Sequence, residues 1–108
     1  MSQPRNTKEE LSPRPLMRLL GDFGNSRILE AAIEYDFFTL IHRGFDTYEE
    51  VAREAGTVPR ATRIVLDSLI ALALVEKHGE GYFLAPISET YLVRGKPSYI
   101  GDFRHVAL

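Results

Sequence analysis

Thr47-Tyr48-Glu49-Glu50-Val51-Ala52-Arg53-Glu54-Ala55-Gly56, followed at once by Thr57-Val58-Pro59, is the stretch whose reading decides the fold. Thr47 and Glu50 stand at capping-box spacing: a hydroxyl that can accept from a backbone N–H three residues on, and a carboxylate that can reach back. The pattern predicts a helix to Ala55, closed by Gly56. Glycine takes the left-handed conformation that ends helices at no steric cost. Thr57-Val58-Pro59 opens a second helix that runs apolar to about Val75, with proline suited to its first turn. Glu76 to Leu84 then reads as two strands around Gly79-Glu80-Gly81. Helix, helix, hairpin is the winged-helix pattern. The fold class expected is mainly α with a small β-hairpin wing, a winged helix-turn-helix with extra N-terminal helices. Such a unit either reads DNA or makes a protein interface.

Upstream, residues 1–12 are polar and read as a flexible arm, and residues 13–108 as one domain. Pro15 suits the first turn of a short helix carrying Leu16, Met17, Leu19 and Leu20, interrupted by Gly21 and Gly24. Asn25 or Ser26 can cap a longer helix running to about His42 and ending near Gly44. Its polar residues Arg27, Glu30 and Glu34 share one narrow arc, with Leu29, Ile33, Phe37 and Leu40 on one apolar face and Ile28, Ala32 and Tyr35 on another. A helix apolar nearly all round must be covered nearly all round, and a partner subunit or a further domain is the expected cover.

Downstream, Ser88 reads as the cap of a short helix from Glu89 to Arg94, closed by Gly95. Pro97 and Ser98 open another helical pattern, with Ile100, Phe103 and Val106 three apart; residues 98–108 are expected to be an incomplete helix that leads to an absent catalytic domain.

Composition removes several classes. The 108 residues hold no cysteine, so there is no disulfide framework and no thiolate chemistry. His42, His78 and His105 are scattered and read as surface residues. Glu9-Glu10 and Glu49-Glu50 are adjacent in sequence, point apart on a helix, and form no acid/base dyad. The first residues lack a signal-peptide core, and the apolar run from Leu69 to Val75 is too short to span a membrane. A cytoplasmic protein without a membrane partner is expected.

For DNA, the candidate contacts are Arg60, Arg63 and Lys77. Asp67, Ile64, Ala71 and Leu74 crowd the same helical arc, which makes a thin reading head. From Phe45 to Ala85 the chain has four basic and seven acidic residues, a net of −3. Phosphate contacts dominate DNA affinity, so an acidic unit is disfavoured as a nucleic-acid binder. A DNA-binding regulator therefore stands as the alternative. Gly79-Glu80-Gly81 lies between two strands and reads as a hairpin turn rather than a phosphate loop.

Ile28-Leu29-Glu30-Ala31-Ala32-Ile33-Glu34-Tyr35-Asp36-Phe37-Phe38-Thr39-Leu40-Ile41 resembles the dimerisation helix of small-molecule O-methyltransferases that use S-adenosylmethionine. Tyr35-Asp36-Phe37-Phe38-Thr39 stands where that family commonly reads Leu-Gly-Leu-Phe-Asp, so a glycine is lost at Asp36. Val51 to Arg63 is similar to the family's next two helices, with Val58 where Ser, Asp or Asn usually caps and Thr57 as the substitute. Leu69 to Glu76 matches the run before the wing, with Ala73 in place of a usual glycine. Tyr91-Leu92-Val93-Arg94-Gly95 and Pro97-Ser98-Tyr99-Ile100-Gly101-Asp102 continue the match, which covers roughly residues 16–108.

The resemblance implies a homodimerisation domain, non-catalytic by itself, that shapes part of the substrate pocket when joined to a C-terminal methyltransferase domain. It implies no catalytic, cofactor or metal residue in this chain; S-adenosylmethionine belongs to the full-length enzyme. The expected twofold interface is Leu16, Leu19, Leu20, Phe23, Ile28, Leu29, Ile33, Phe37 and Phe38. Tyr99, Phe103 and Arg104 are the expected substrate contacts. A further alternative is a stand-alone accessory or ligand-binding protein built around Tyr99 and Phe103.

Overall fold

The computed structural model describes Pro13 and residues 23–102, with side chains at Pro13 and from Arg27 onward. Among the described residues seven elements follow one another: α1 (Phe23–Glu34), α2 (Phe37–His42), α3 (Tyr48–Ala55), α4 (Pro59–Ala71), β1 (Val75–His78), β2 (Gly81–Leu84) and α5 (Pro86–Tyr91). Helix–helix–hairpin over residues 48–84 is the winged-helix arrangement read from the sequence, and the mainly helical class with a single two-stranded wing holds. The predicted short helix around Leu16 lies outside the described residues.

The long helix predicted up to His42 is two helices. Asp36 adopts φ 60° and ψ 32°, the left-handed region, and breaks the ladder between α1 and α2. The Asp36 N–H turns to Ile33 O at 3.1 Å, and Asp36 O then accepts from Leu40 N at 2.9 Å to start α2. Aspartate is one of the few side chains that visits this region routinely. At its other end α1 begins at Phe23, so neither Asn25 nor Ser26 is a cap and Gly24 lies within the helix.

The capping box at α3 forms with a shift. Thr47 Oγ1 accepts from Glu50 N at 3.2 Å, while Glu50 Oε1 accepts from Asp46 N rather than from Thr47 N, also at 3.2 Å. Gly56 closes the helix at φ 73°, as predicted. The N-cap of α4 is Val58, whose side chain offers no acceptor, and Thr57 does not substitute. Thr62 Oγ1 donates to Val58 O at 2.9 Å, so the Thr57 hydroxyl donates to Thr62 Oγ1.

Helix α4 stops at Ala71, short of Val75, because Ala73 takes φ 63°. The strands pair antiparallel, Val75 with Leu84 and His78 with Gly81, around a two-residue loop of Gly79 and Glu80. Gly79 at φ 63° in the first loop position suits the II′ turn that matches strand twist.

Helix α5 starts at Pro86, three residues before the predicted start, and ends at Tyr91, three residues before Arg94. Ser88 is therefore inside the helix rather than its cap. It is fully buried and donates to Leu74 O at 2.7 Å, tying α5 to the segment between α4 and β1. Residues 97–100 are not helical: Ile100 N donates back to Tyr91 O at 2.9 Å. Residues 103–108 lie outside the described residues, and with them most of the predicted last helix.

One core joins these elements. Leu29, Phe38, Val51, Leu66, Leu69, Val75 and Tyr82 are its most deeply buried side chains, drawn from α1, α2, α3, α4 and both strands. Burial of each large side chain contributes about 1.5–3 kcal/mol.

Candidate functional site

Three surfaces bear on function: the outer face of α4, the α1–α2 face, and the residues 92–101 that follow α5. On α4, Arg60 and Arg63 are exposed, as read from the sequence, but Arg63 is engaged within the chain. Its Nε lies 3.8 Å from Asp67 Oδ2 and its guanidinium 5.4 Å from the Tyr48 ring centroid. Lys77 Nζ sits 5.1 Å from the Tyr82 ring centroid. Asp67 also accepts from the Tyr82 hydroxyl at 2.8 Å. Burial, with the hydrogen bond and charge of Asp67, pushes the Tyr82 phenol up to about 12. Ile64, 60% exposed, occupies the middle of the same face. A helix meant for the major groove would offer free donors here; this one offers an exposed aliphatic and partly self-paired arginine.

On the α1–α2 face the polar arc is as read: Arg27, Glu30 and Glu34 are exposed. Most of the apolar remainder is covered within one chain. Leu29, Ile33, Phe37 and Phe38 retain no more than 3% of their surface. These four expected interface residues have little left to give a partner, because α3, α4 and the wing close over them. Ile28 is half-buried, and Tyr35 is 49% exposed beside Phe37, with ring centroids 6.3 Å apart. A cleft of about 320 Å³ opens at the helix break, lined by Glu34, Tyr35, Asp36, Thr39, Arg43 and Glu54 among others. Leu16, Leu19 and Leu20 lie outside the described residues, and Phe23 is described by its backbone alone.

Residues 92–101 form a strap over the ends of α2 and α5. Leu92 and Val93 are buried anchors. Arg94 Nε donates to Asp36 Oδ1 at 2.8 Å, and the Arg94 backbone N–H donates to Thr39 Oγ1 at 3.0 Å. The hydrogen bond to Asp36 raises the Arg94 guanidinium above its ordinary value. Lys96 Nζ donates to Glu89 O at 2.7 Å and to Glu89 Oε2 at 2.8 Å, and His42 Nδ1 meets the same carboxylate oxygen. Burial alone would raise the Glu89 carboxyl; the Lys96 hydrogen bond and the His42 and Lys96 charges outweigh it and hold it below the usual range.

Tyr99, a sequence-predicted substrate contact, belongs to this strap; Phe103 and Arg104 lie outside the described residues. Sequence reasoning missed Asp36, Glu89, Arg94 and Lys96. A family glycine lost at Asp36 is all the sequence shows there, and nothing local points to a partner 58 residues away. Among the described residues no cluster of three or more potential ligands could hold a metal, and no helix is long and apolar enough to cross a membrane. Gly79 and Gly81 belong to a hairpin between antiparallel strands rather than to a strand-to-helix loop.

Residues 17–94 match the O-methyltransferase dimerisation domain family, and the chain belongs to it. The polyketide 8-O-methyltransferase TcmO of Streptomyces glaucescens, from tetracenomycin synthesis, is 38% identical over 96 residues, 88% of this chain and 28% of that protein. The structure of an O-methyltransferase family protein from Burkholderia thailandensis superposes with a TM-score of 0.69 at 31% identity, covering 87% of this chain and 28% of the other. Human N-acetylserotonin methyltransferase in complex with SAM shares the fold, with a TM-score of 0.66 at 24% identity over 96% of this chain and 31% of that one. The chain thus spans less than a third of the length of each of these relatives.

Proposed function

We propose that this domain pairs with a second copy of itself and, in a full-length S-adenosylmethionine-dependent O-methyltransferase, forms part of the pocket for a small substrate. The family match over residues 17–94 carries this reading. The net −3 of residues 45–85 and the partly self-paired arginine on the α4 face support it against DNA binding. Cofactor and methyl transfer belong to the C-terminal methyltransferase domain, and the substrate contacts assigned to this chain are Tyr99, Phe103 and Arg104. The interface draws on Leu16, Leu19, Leu20, Phe23 and Ile28, with the exposed Tyr35 added, while Leu29, Ile33, Phe37 and Phe38 serve the core of the chain itself.

Light scattering across a dilution series tests the pairing. The expected result is twice the 12.2 kDa chain mass, persisting at low concentration. A monomer at every concentration overturns it. Titration with random duplex DNA at low salt separates the alternative, since salt-dependent binding there would favour a nucleic-acid role.

A further inference from the structure

Among the described residues two other than glycine hold a positive φ, Asp36 at 60° and Ala73 at 63°. Ala73 has only a methyl group and does no more than tolerate its conformation. Asp36 meets the same backbone demand and also places a carboxylate at the α1–α2 break. That carboxylate accepts from Arg94 Nε at 2.8 Å, joining two points 58 residues apart. Thr39, one turn into α2, takes the Arg94 backbone N–H at 3.0 Å. Arg94 is thus held twice at the break, by side chain and by main chain.

The same guanidinium lies 5.4 Å from the Tyr99 ring centroid, within cation–π range. Gly101 also packs close to the ring, where a Cβ would collide with the Tyr99 phenol. The Tyr99 hydroxyl is buried and has no hydrogen-bond partner among the described residues. A buried hydroxyl left without a partner costs stability, so its position is imposed by what grips the ring.

We propose that Asp36 and Arg94 form a latch: the carboxylate at the helix break seats the guanidinium, and the guanidinium fixes the Tyr99 ring and the strap 92–101. Asp36 and Arg94 are positioning residues. The role of Tyr99 toward a substrate rests on the proposed function above; the latch itself is a property of this chain. The planar fork of arginine supplies both the Nε–H bond and the face that covers the ring, which lysine cannot reproduce. Asp36 and Arg94 are both partly exposed, so the latch governs local order of the strap more than global stability.

The test uses the full chain with three variants, Asp36→Gly, Asp36→Asn and Arg94→Lys. Asp36→Gly keeps a residue that accepts φ 60° and removes only the carboxylate, so folding is retained. The readouts are the Tyr99 ring resonance, assigned with Tyr99→Phe, and amide exchange at Tyr99 and Ile100. In all three variants the ring resonance shifts, and exchange at these two amides rises about three- to fivefold, the reach of an exposed ion pair. Exchange at Leu66 and Leu69 in α4 stays unchanged. Raising salt loosens the wild-type strap toward the variant behaviour. An unmoved Tyr99 resonance and unmoved strap exchange in folded Asp36→Gly and Arg94→Lys overturn the latch. A uniform rise across strap and α4 also overturns it, since that is general destabilisation. A monomeric wild-type chain overturns the proposed function instead, a result read by mass and not by these signals.

Discussion

Ala73→Gly is expected to stabilise the protein. Ala73 ends the chain reversal between α4 and β1 at φ 63°, and its N–H bonds Ile70 O while Leu74 N bonds Leu69 O. A residue with a Cβ in this left-handed region costs roughly 1–2 kcal/mol relative to glycine. Ala73 is exposed, so its methyl group returns little burial energy. Glycine gives the unfolded chain more freedom, which costs about 0.4–1 kcal/mol of stability. The difference leaves a net gain of about 0.5–1 kcal/mol, or a rise in Tm of roughly 2–8 °C for a domain of this size. Ala61→Gly on the exposed face of α4 is the control. There the backbone is helical, and glycine is expected to lose about 0.5–1 kcal/mol. Thermal and urea unfolding of both variants against wild type read the two signs directly. A destabilised Ala73→Gly, or two variants that move together, would refute the strain argument.

Thr47→Ala removes the acceptor of Glu50 N and is expected to cost about 1 kcal/mol in urea unfolding. The Tyr82 phenol is raised from 10.0 to about 12, so its stabilising effect is complete below pH 10 and is lost as pH rises toward 12. Stability measured across that window is expected to fall in wild type and to fall less in Tyr82→Phe. The Glu89 carboxyl is lowered from 4.5, so its effect is present above that pH and lost as pH falls below it. Acid unfolding of Glu89→Gln is accordingly expected to show a shallower pH dependence than wild type.

The winged helix was legible because its signals are local. Thr47, Gly56, Pro59 and Gly79 each act within a few residues, and each does in the structure what its chemistry indicates. The misreadings have one physical origin: a backbone choice set by distant contacts. Ser88 has the side chain of a cap, but its hydroxyl reaches Leu74 O instead, and Pro86 takes over the helix start. Asp36 has an ordinary helical neighbourhood, yet the left-handed turn there lets α2 bend so that Phe37, Phe38, Leu40 and Ile41 all enter the core. The substrate-side strap was legible only at Tyr99, because Arg94 and Lys96 gain meaning from Asp36 and Glu89, which the fold brings near.

That bend also changes how the proposed interface must be tested. Phe37→Asp or Ile33→Asp would place a charge where 3% or less of the side chain is exposed, and burying an unpaired charge unfolds the domain whether or not it dimerises. A lost dimer in those variants carries no information about the interface. Ile28 on α1 and Tyr35 in the turn that follows it have surface to spare, so Ile28→Asp and Tyr35→Asp separate the two effects. If this face meets a second copy, each loses about 1.5–3 kcal/mol of burial across the interface, and the dimer dissociates at a concentration about tenfold higher or more. Their helical content and core near-ultraviolet signal should stay native. Dimers as tight as wild type in both variants would exclude the α1 face and leave residues 16–23 as the remaining expected contact surface.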